Sequence, residues 1–138
     1  MKAPSAGYSG TPLPAKLGIK AGMRFFALNA PSSLDALLAG APEMERLARV
    51  ASFDLALAFA KSERSVTEAL IKLTPHMPHT GMIWIAWPKK SSGVATDLTE
   101  DVVRRAGLAA KLVDVKVCAI DATWSGLKFV RRLRDRTV

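Results

Sequence analysis

The chain has 138 residues, 49% of them hydrophobic and 23% charged, with a formal net charge of +8. That length fits one domain, and that much apolar matter builds a core without disulfides or a structural metal. No run approaches the ~20 apolar residues of a membrane span. The first seven residues lack the apolar stretch of a secretory signal, and the single cysteine, Cys118, cannot close an internal disulfide, so the expected location is the cytoplasm.

Residues 1–15 hold Pro4, Pro12 and Pro14 with Gly7 and Gly10, and read as an extended arm ahead of a single domain over 16–138. Residues 24–29 are nearly continuous in apolar character, as strands covered on both faces are. A helix then starts near Pro31 and is stopped by Gly40 and Pro42. Residues 45–50 fit either a short strand or a helical turn. A second apolar run, 53–59, reads as a strand, although its alanines also allow helix. Residues 62–73 place Val66, Ala69, Leu70 and Leu73 on one face of a helix, which Pro75, Pro78 and Gly81 break. Residues 82–87 form a third buried strand, ended by Pro88. A helix over 98–111 follows, with Asp97 as its expected N-cap and Glu100 three residues on in a capping-box pattern. Residues 113–120 alternate as a strand, and 127–133 form the last strand after the loop 121–126.

Strands alternating with helices imply crossovers and a mostly parallel sheet. Only a few residues join the last two strands, too few for a crossover, so the final strand must run antiparallel. The expected fold is α/β: a three-layer Rossmann-like sandwich of five to six strands, helices on both faces, and an antiparallel C-terminal strand.

That ending resembles the Rossmann-like methyltransferase fold, as do the phrases around Leu17-Gly18-Ile19-Lys20-Ala21-Gly22-Met23-Arg24 and Phe53-Asp54-Leu55. The phrases Gly7-Tyr8-Ser9-Gly10-Thr11-Pro12-Leu13, Trp87-Pro88-Lys89-Lys90-Ser91-Ser92-Gly93 and Trp124-Ser125-Gly126-Leu127-Lys128 resemble a bacterial family, the domain-of-unknown-function family numbered 3052. That second resemblance implies a fold but no activity. The first implies S-adenosylmethionine as cofactor, and the sequence departs from it at two places. The turn after the first strand, Asn29-Ala30-Pro31-Ser32-Ser33, has no glycine, and its proline lacks a backbone donor. No acidic residue clearly ends the second strand. No cofactor is therefore assigned from sequence.

Ligands of parallel sheets bind outside the carboxyl ends of the strands. The sequence places Asn29, Lys61, Lys89, Lys90, Ser91, Ser92 and Gly93 there, and the closing loop adds Trp124 and Ser125. Two lysines followed by Ser-Ser-Gly suit an anion such as a phosphate or carboxylate, and the two loops are expected to share a pocket walled by Trp124. The alternative is an ordinary polar loop, with Trp124 packed near Tyr8. The leading expectation is thus a domain that binds a small molecule or anion without catalysis. A divergent S-adenosylmethionine-dependent methyltransferase is the alternative. A nucleic-acid-associated protein is a third, resting on Arg131, Arg132, Arg134 and Arg136. His76 and His79 alone complete no metal site, Trp84 and Trp87 read as packing, and Cys118 as a buried, inert thiol.

Overall fold

The computed structural model describes residues 11–136. Its centre is β3 (Leu55–Phe59), five residues that are all buried. A strand with apolar side chains on both faces must be covered on both, and the chain does so with two unequal layers. Around β3 lie β1 (Arg24–Leu28), β2 (Glu45–Arg46), β4 (Met82–Pro88), β5 (Leu112–Ala119) and β6 (Trp124–Arg131), in the order β2-β1-β3-β4-β6-β5. β1 pairs in parallel with β2 and β3, and β3 with β4, whereas β6 is antiparallel to both of its neighbours. The six-stranded sheet with its antiparallel last strand is the fold the sequence implies.

Alternation along each strand divides the core. Ala56, Ala58, Ile83, Ile85, Leu127 and Phe129 meet α3 (Glu63–Leu73) and α4 (Glu100–Ala109) on one face. Phe25, Leu55, Leu57, Trp84 and Ala86 meet Leu17 of α1 (Leu13–Leu17) and Leu34 of α2 (Leu34–Leu37) on the other. The Trp84 indole donates to the Leu17 carbonyl at 2.9 Å, which fastens α1 to the sheet. No residue carrying a polar or charged side chain is buried among the described residues. Gly107 of α4 stands where a Cβ would come 2.0 Å from the Phe129 ring, so this helix sits against β6 closer than any other residue would allow.

Several boundaries differ from expectation, each for a local reason. Residues 1–10 of the expected arm lie outside the described residues, and its end is helical from Leu13, with Pro14 in the first turn, where its missing N–H costs nothing. The ambiguous stretch at 45–50 contributes a two-residue strand. The helix expected from Leu98 begins at Glu100, and Thr99 caps it by accepting from Val102 N–H at 3.2 Å. Asp97 caps a different helix: its Oδ1 accepts from Glu63 N–H at 3.0 Å, in the first turn of α3. The extended segment before Thr99 lies along the start of α3, where Thr96 Oγ1 donates to the Lys61 carbonyl at 2.6 Å. A spacing rule along the chain cannot see that crossing. The last strand begins at Trp124 rather than Leu127, so Trp124 and Ser125 belong to the sheet. Tyr8, the expected neighbour of Trp124, lies outside the described residues.

Candidate functional site

The carboxyl ends of β1 and β3 and the start of β6 open on one cleft of about 330 Å³, lined by Asn29, Phe59, Ala60, Lys61, Ser62, Ser65 and Trp124. Each lining residue is placed by an element's end. Asn29 follows β1 and takes φ +56°. Asparagine is among the few non-glycine residues that occupy this left-handed region readily. The turn that lacks a glycine thus acquires a glycine-like bend through a side chain that adds a donor and an acceptor. Ser62 caps α3, its hydroxyl accepting from Ser65 N–H at 3.1 Å. The Lys61 ammonium makes no hydrogen bond or ion pair among the described residues. Trp124 stands edge-on to Phe59, with ring centroids 5.0 Å apart and planes at 84°.

The turn that presents Trp124 is built by Asp121. Its Oδ1 accepts from both Thr123 N–H and Trp124 N–H at 2.8 Å. Lys89 N–H donates to the Thr123 carbonyl at 2.8 Å, so the loop after β4 and the loop before β6 are joined. The Ser91–Gly93 stretch has its own structure, a 3-10 turn over Lys90–Ser92. Within it Ser92 N–H donates to the Lys89 carbonyl, Gly93 N–H to that of Lys90, and Val94 N–H to the Ser92 hydroxyl. These three amides face inward. The Lys89 ammonium is buried and has no hydrogen-bond partner among the described residues. Burial pushes it below the usual lysine range; the Asp121 carboxylate pulls it back up, and Lys16 adds to the lowering. Lys90 is exposed.

Of the residues picked from sequence, then, the structure brings Asn29, Lys61 and Trp124 into one cleft. Lys89, Lys90, Ser91, Ser92 and Gly93 adjoin it without lining it, and Ser125 is held in the ladder opposite Trp87 and Ala119. Phe59, Ala60, Ser62 and Ser65 were missed. A signal existed for them, since the last residues of a central strand and the cap of the next helix must border such an edge. β2 ends in a basic residue: Arg46 forms an ion pair with Asp35 of α2 at 2.8 Å. The C-terminal arginines mostly serve the fold, Arg131 donating to the Thr74 and Met77 carbonyls and Arg132 pairing with Asp135. The Cys118 thiol is half-buried and pushed up by that burial, with Lys16 and Lys116 opposing. A larger concavity of about 560 Å³ between α3 and α4 is mainly apolar, with Glu63 and Arg105 as its only charged groups.

No protein-family model matches the chain, and no curated protein does. Solved structures do. A ribosomal protein L11 methylase from Lactobacillus delbrueckii subsp. bulgaricus superposes with a TM-score of 0.59 at 11% identity, over 87% of this chain and 76% of that one. CalO1, a methyltransferase of calicheamicin biosynthesis in an SAH-bound form, gives 0.60 at 12% identity over 87% of this chain. A methyltransferase from Pyrococcus furiosus gives 0.58 at 9% identity, over 84% of this chain and 78% of that one. The fold is of the methyltransferase type. The chain spans about half the length of the calicheamicin protein, 52%. No helix of the described residues is long and apolar enough to cross a membrane.

Proposed function

We propose that the cleft binds an S-adenosylmethionine-type molecule, and that the chain is a reduced, divergent methyltransferase-type domain. The observation that carries this is Asn29. Its left-handed backbone supplies the bend that a glycine-rich turn would supply, and it lines the cleft with Lys61 and Trp124. The lining suits the amino-acid half of such a molecule. Lys61 offers a cation to a carboxylate, Asn29, Ser62 and Ser65 offer hydrogen bonds, and the Phe59 and Trp124 rings give the cleft an apolar, aromatic wall. When bound, the molecule supplies an electrophilic methyl group. The ribose end suits it less, because β2 ends in Arg46 and the nearby Asp35 carboxylate is already engaged by that guanidinium. The lining holds no carboxylate or histidine, so a methyl acceptor must arrive as a ready nucleophile.

The cleft volume lies at the small end of ligand pockets, which run roughly 300–1,000 Å³. A second reading, binding without transfer, rests on that missing base. Membership of family 3052 belongs to the same proposal; its support is the phrases quoted from the sequence. Titration calorimetry with S-adenosylmethionine and S-adenosylhomocysteine tests the binding. Heat that saturates in the micromolar range, and is lost in Lys61→Ala and Asn29→Val, supports it. No heat at millimolar ligand would end it. Binding with no methyl transferred to any offered thiol or amine would leave the second reading standing alone.

A further inference from the structure

Four lysines gather where α1 crosses β5 and β6, with little acid to balance them. Lys116 of β5 and Lys128 of β6 are direct partners in the antiparallel ladder. Direct partners point to the same face, and like charges so placed destabilise a strand pair. Lys16 lies above them on α1. It donates to the Ala119 carbonyl at 3.2 Å, while the Lys116 ammonium donates to the Lys16 carbonyl at 3.1 Å. Each ammonium carries three donors, so these bonds fix both side chains and leave two donors on each. Lys128 has no hydrogen bond or ion pair among the described residues, and its ammonium stands beside the C-cap Gly18. Burial, then Lys116, holds it below the usual lysine range. Lys16 also acts on Lys89.

Among the described residues the one carboxylate at this cluster is Asp121, which acts on Lys89 and already binds two amides of its own turn. Asp114, also on β5, opposes Phe129 and so faces α4, where Arg104 takes it. Residues 1–10 contain Lys2 and no Asp or Glu. Among the described residues, then, no free carboxylate answers this charge. At the same place the surface is hollow. A concavity of about 310 Å³ is lined by Thr11, Lys16, Lys116 and Cys118 among others, and it shares no residue with the cleft at the carboxyl edge.

We infer that this α1–β5 concavity is a binding site for the phosphate group of a phosphorylated small molecule. Lys16 and Lys116 hold the phosphate oxygens, Thr11 offers a hydroxyl, and Lys128 backs them with a further charge. Lysines act on phosphate as point charges rather than as planar forks, which suits a compact dianion in a shallow hollow. An occupant also relieves the Lys116–Lys128 repulsion, so binding and fold stability are coupled.

The test is calorimetry with inorganic phosphate and pyrophosphate at low salt, on the wild type and on Lys116→Gln, Lys128→Gln and Lys72→Gln. Lys72 lies on α3, against the other face. The expected result is sub-millimolar pyrophosphate binding, weakened about tenfold in Lys116→Gln and several-fold in Lys128→Gln. Lys72→Gln should bind as the wild type does. Melting curves give a second readout that a misfolded variant could not mimic. Without ligand, Lys128→Gln melts at or above the wild-type temperature, and the upward shift with pyrophosphate shrinks. Absence of binding, or equal loss in Lys72→Gln, would overturn the inference. So would a single-stranded oligonucleotide that binds through these lysines more tightly than pyrophosphate and with a steep salt dependence, because the occupant would then be a nucleic-acid backbone.

Discussion

Replacing Gly107 with alanine sets two effects against each other, and the structure decides which wins. Gly107 lies in the last turn of α4, three residues before its C-cap Ala110. On helix propensity alone the change should stabilise by ~1 kcal/mol. A Cβ at this position, however, would lie 2.0 Å from Cε1 of Phe129 and 2.5 Å from Cδ1 and Cζ. Ordinary carbon contacts sit at about 3.5–4.0 Å, so α4 and the ring must separate by roughly 1.5 Å. Phe129 cannot swing away freely, because it is fully buried and its strand is paired on both sides. Overpacking of this kind costs about 1–3 kcal/mol and sometimes more, with so deep an overlap at the upper end. The expected net loss is about 2 kcal/mol, or a fall in Tm of roughly 8 °C for a domain of this size. Thermal and urea unfolding would measure it. Phe129→Leu in the same background should recover part of the loss, since removing the ring's far edge removes the clash. A Gly107→Ala protein that melts at or above the wild-type temperature would refute the close approach of α4 to β6.

The cap assignments predict that Asp97→Ala speeds amide exchange at Glu63 while leaving Val102 protected, and that Thr99→Ala does the reverse, each costing about 1 kcal/mol. Asn29→Gly should be close to neutral, whereas Asn29→Val, forced into the left-handed region, should cost about 1–2 kcal/mol in urea unfolding. Lys89 sits below its usual range through burial, then Lys16, against the pull of Asp121. On raising pH the folded state releases this proton before the unfolded state does, so the unfolded state binds more protons and stability rises until the ordinary lysine pKa of about 10.4. Lys89→Met should flatten that rise and raise stability at neutral pH; an unchanged pH slope would count against the buried, unpartnered ammonium.

The sheet was legible because its signals are local. The buried runs at 55–59 and 82–88 are apolar in ways few other structures tolerate, and the short gap after Ala119 leaves no room for a crossover, which forces β6 to run antiparallel. What stayed hidden depends on crossings between distant segments. Asp97 precedes a helix with a glutamate three residues on, and every local rule makes it that helix's cap. It serves α3 instead because residues 94–99 pass over the start of that helix, a contact 34 positions apart in sequence. The two-residue β2 was ambiguous for a related reason: it is held by register with Arg24 and Phe25 and has no pattern of its own.

The site follows the same division. Topology alone put Asn29, Lys61 and Trp124 at one edge, and they do meet there. The absence of glycine from the turn after β1 argues against a close ligand only where residue type stands for backbone conformation. The conformation is what a close ligand needs, and Asn29 reaches it at φ +56°. The lysine pair was invisible for the opposite reason. Lys116 and Lys128 are unremarkable as single residues, and a bulge between Asp114 and Lys116 shifts the register that brings them face to face. Without that shift, Asp114 opposite Phe129 would leave Val115, not Lys116, in the next position on the ladder, facing Lys128. The bulge therefore sets which face Lys116 occupies. A deletion of Val115 restores regular pairing without changing the lysine register, so it should keep pyrophosphate binding intact, whereas Lys116→Gln alone should weaken it about tenfold. Loss of binding in the deletion with the fold preserved would show that the bend of β5, rather than the paired charges, makes the site.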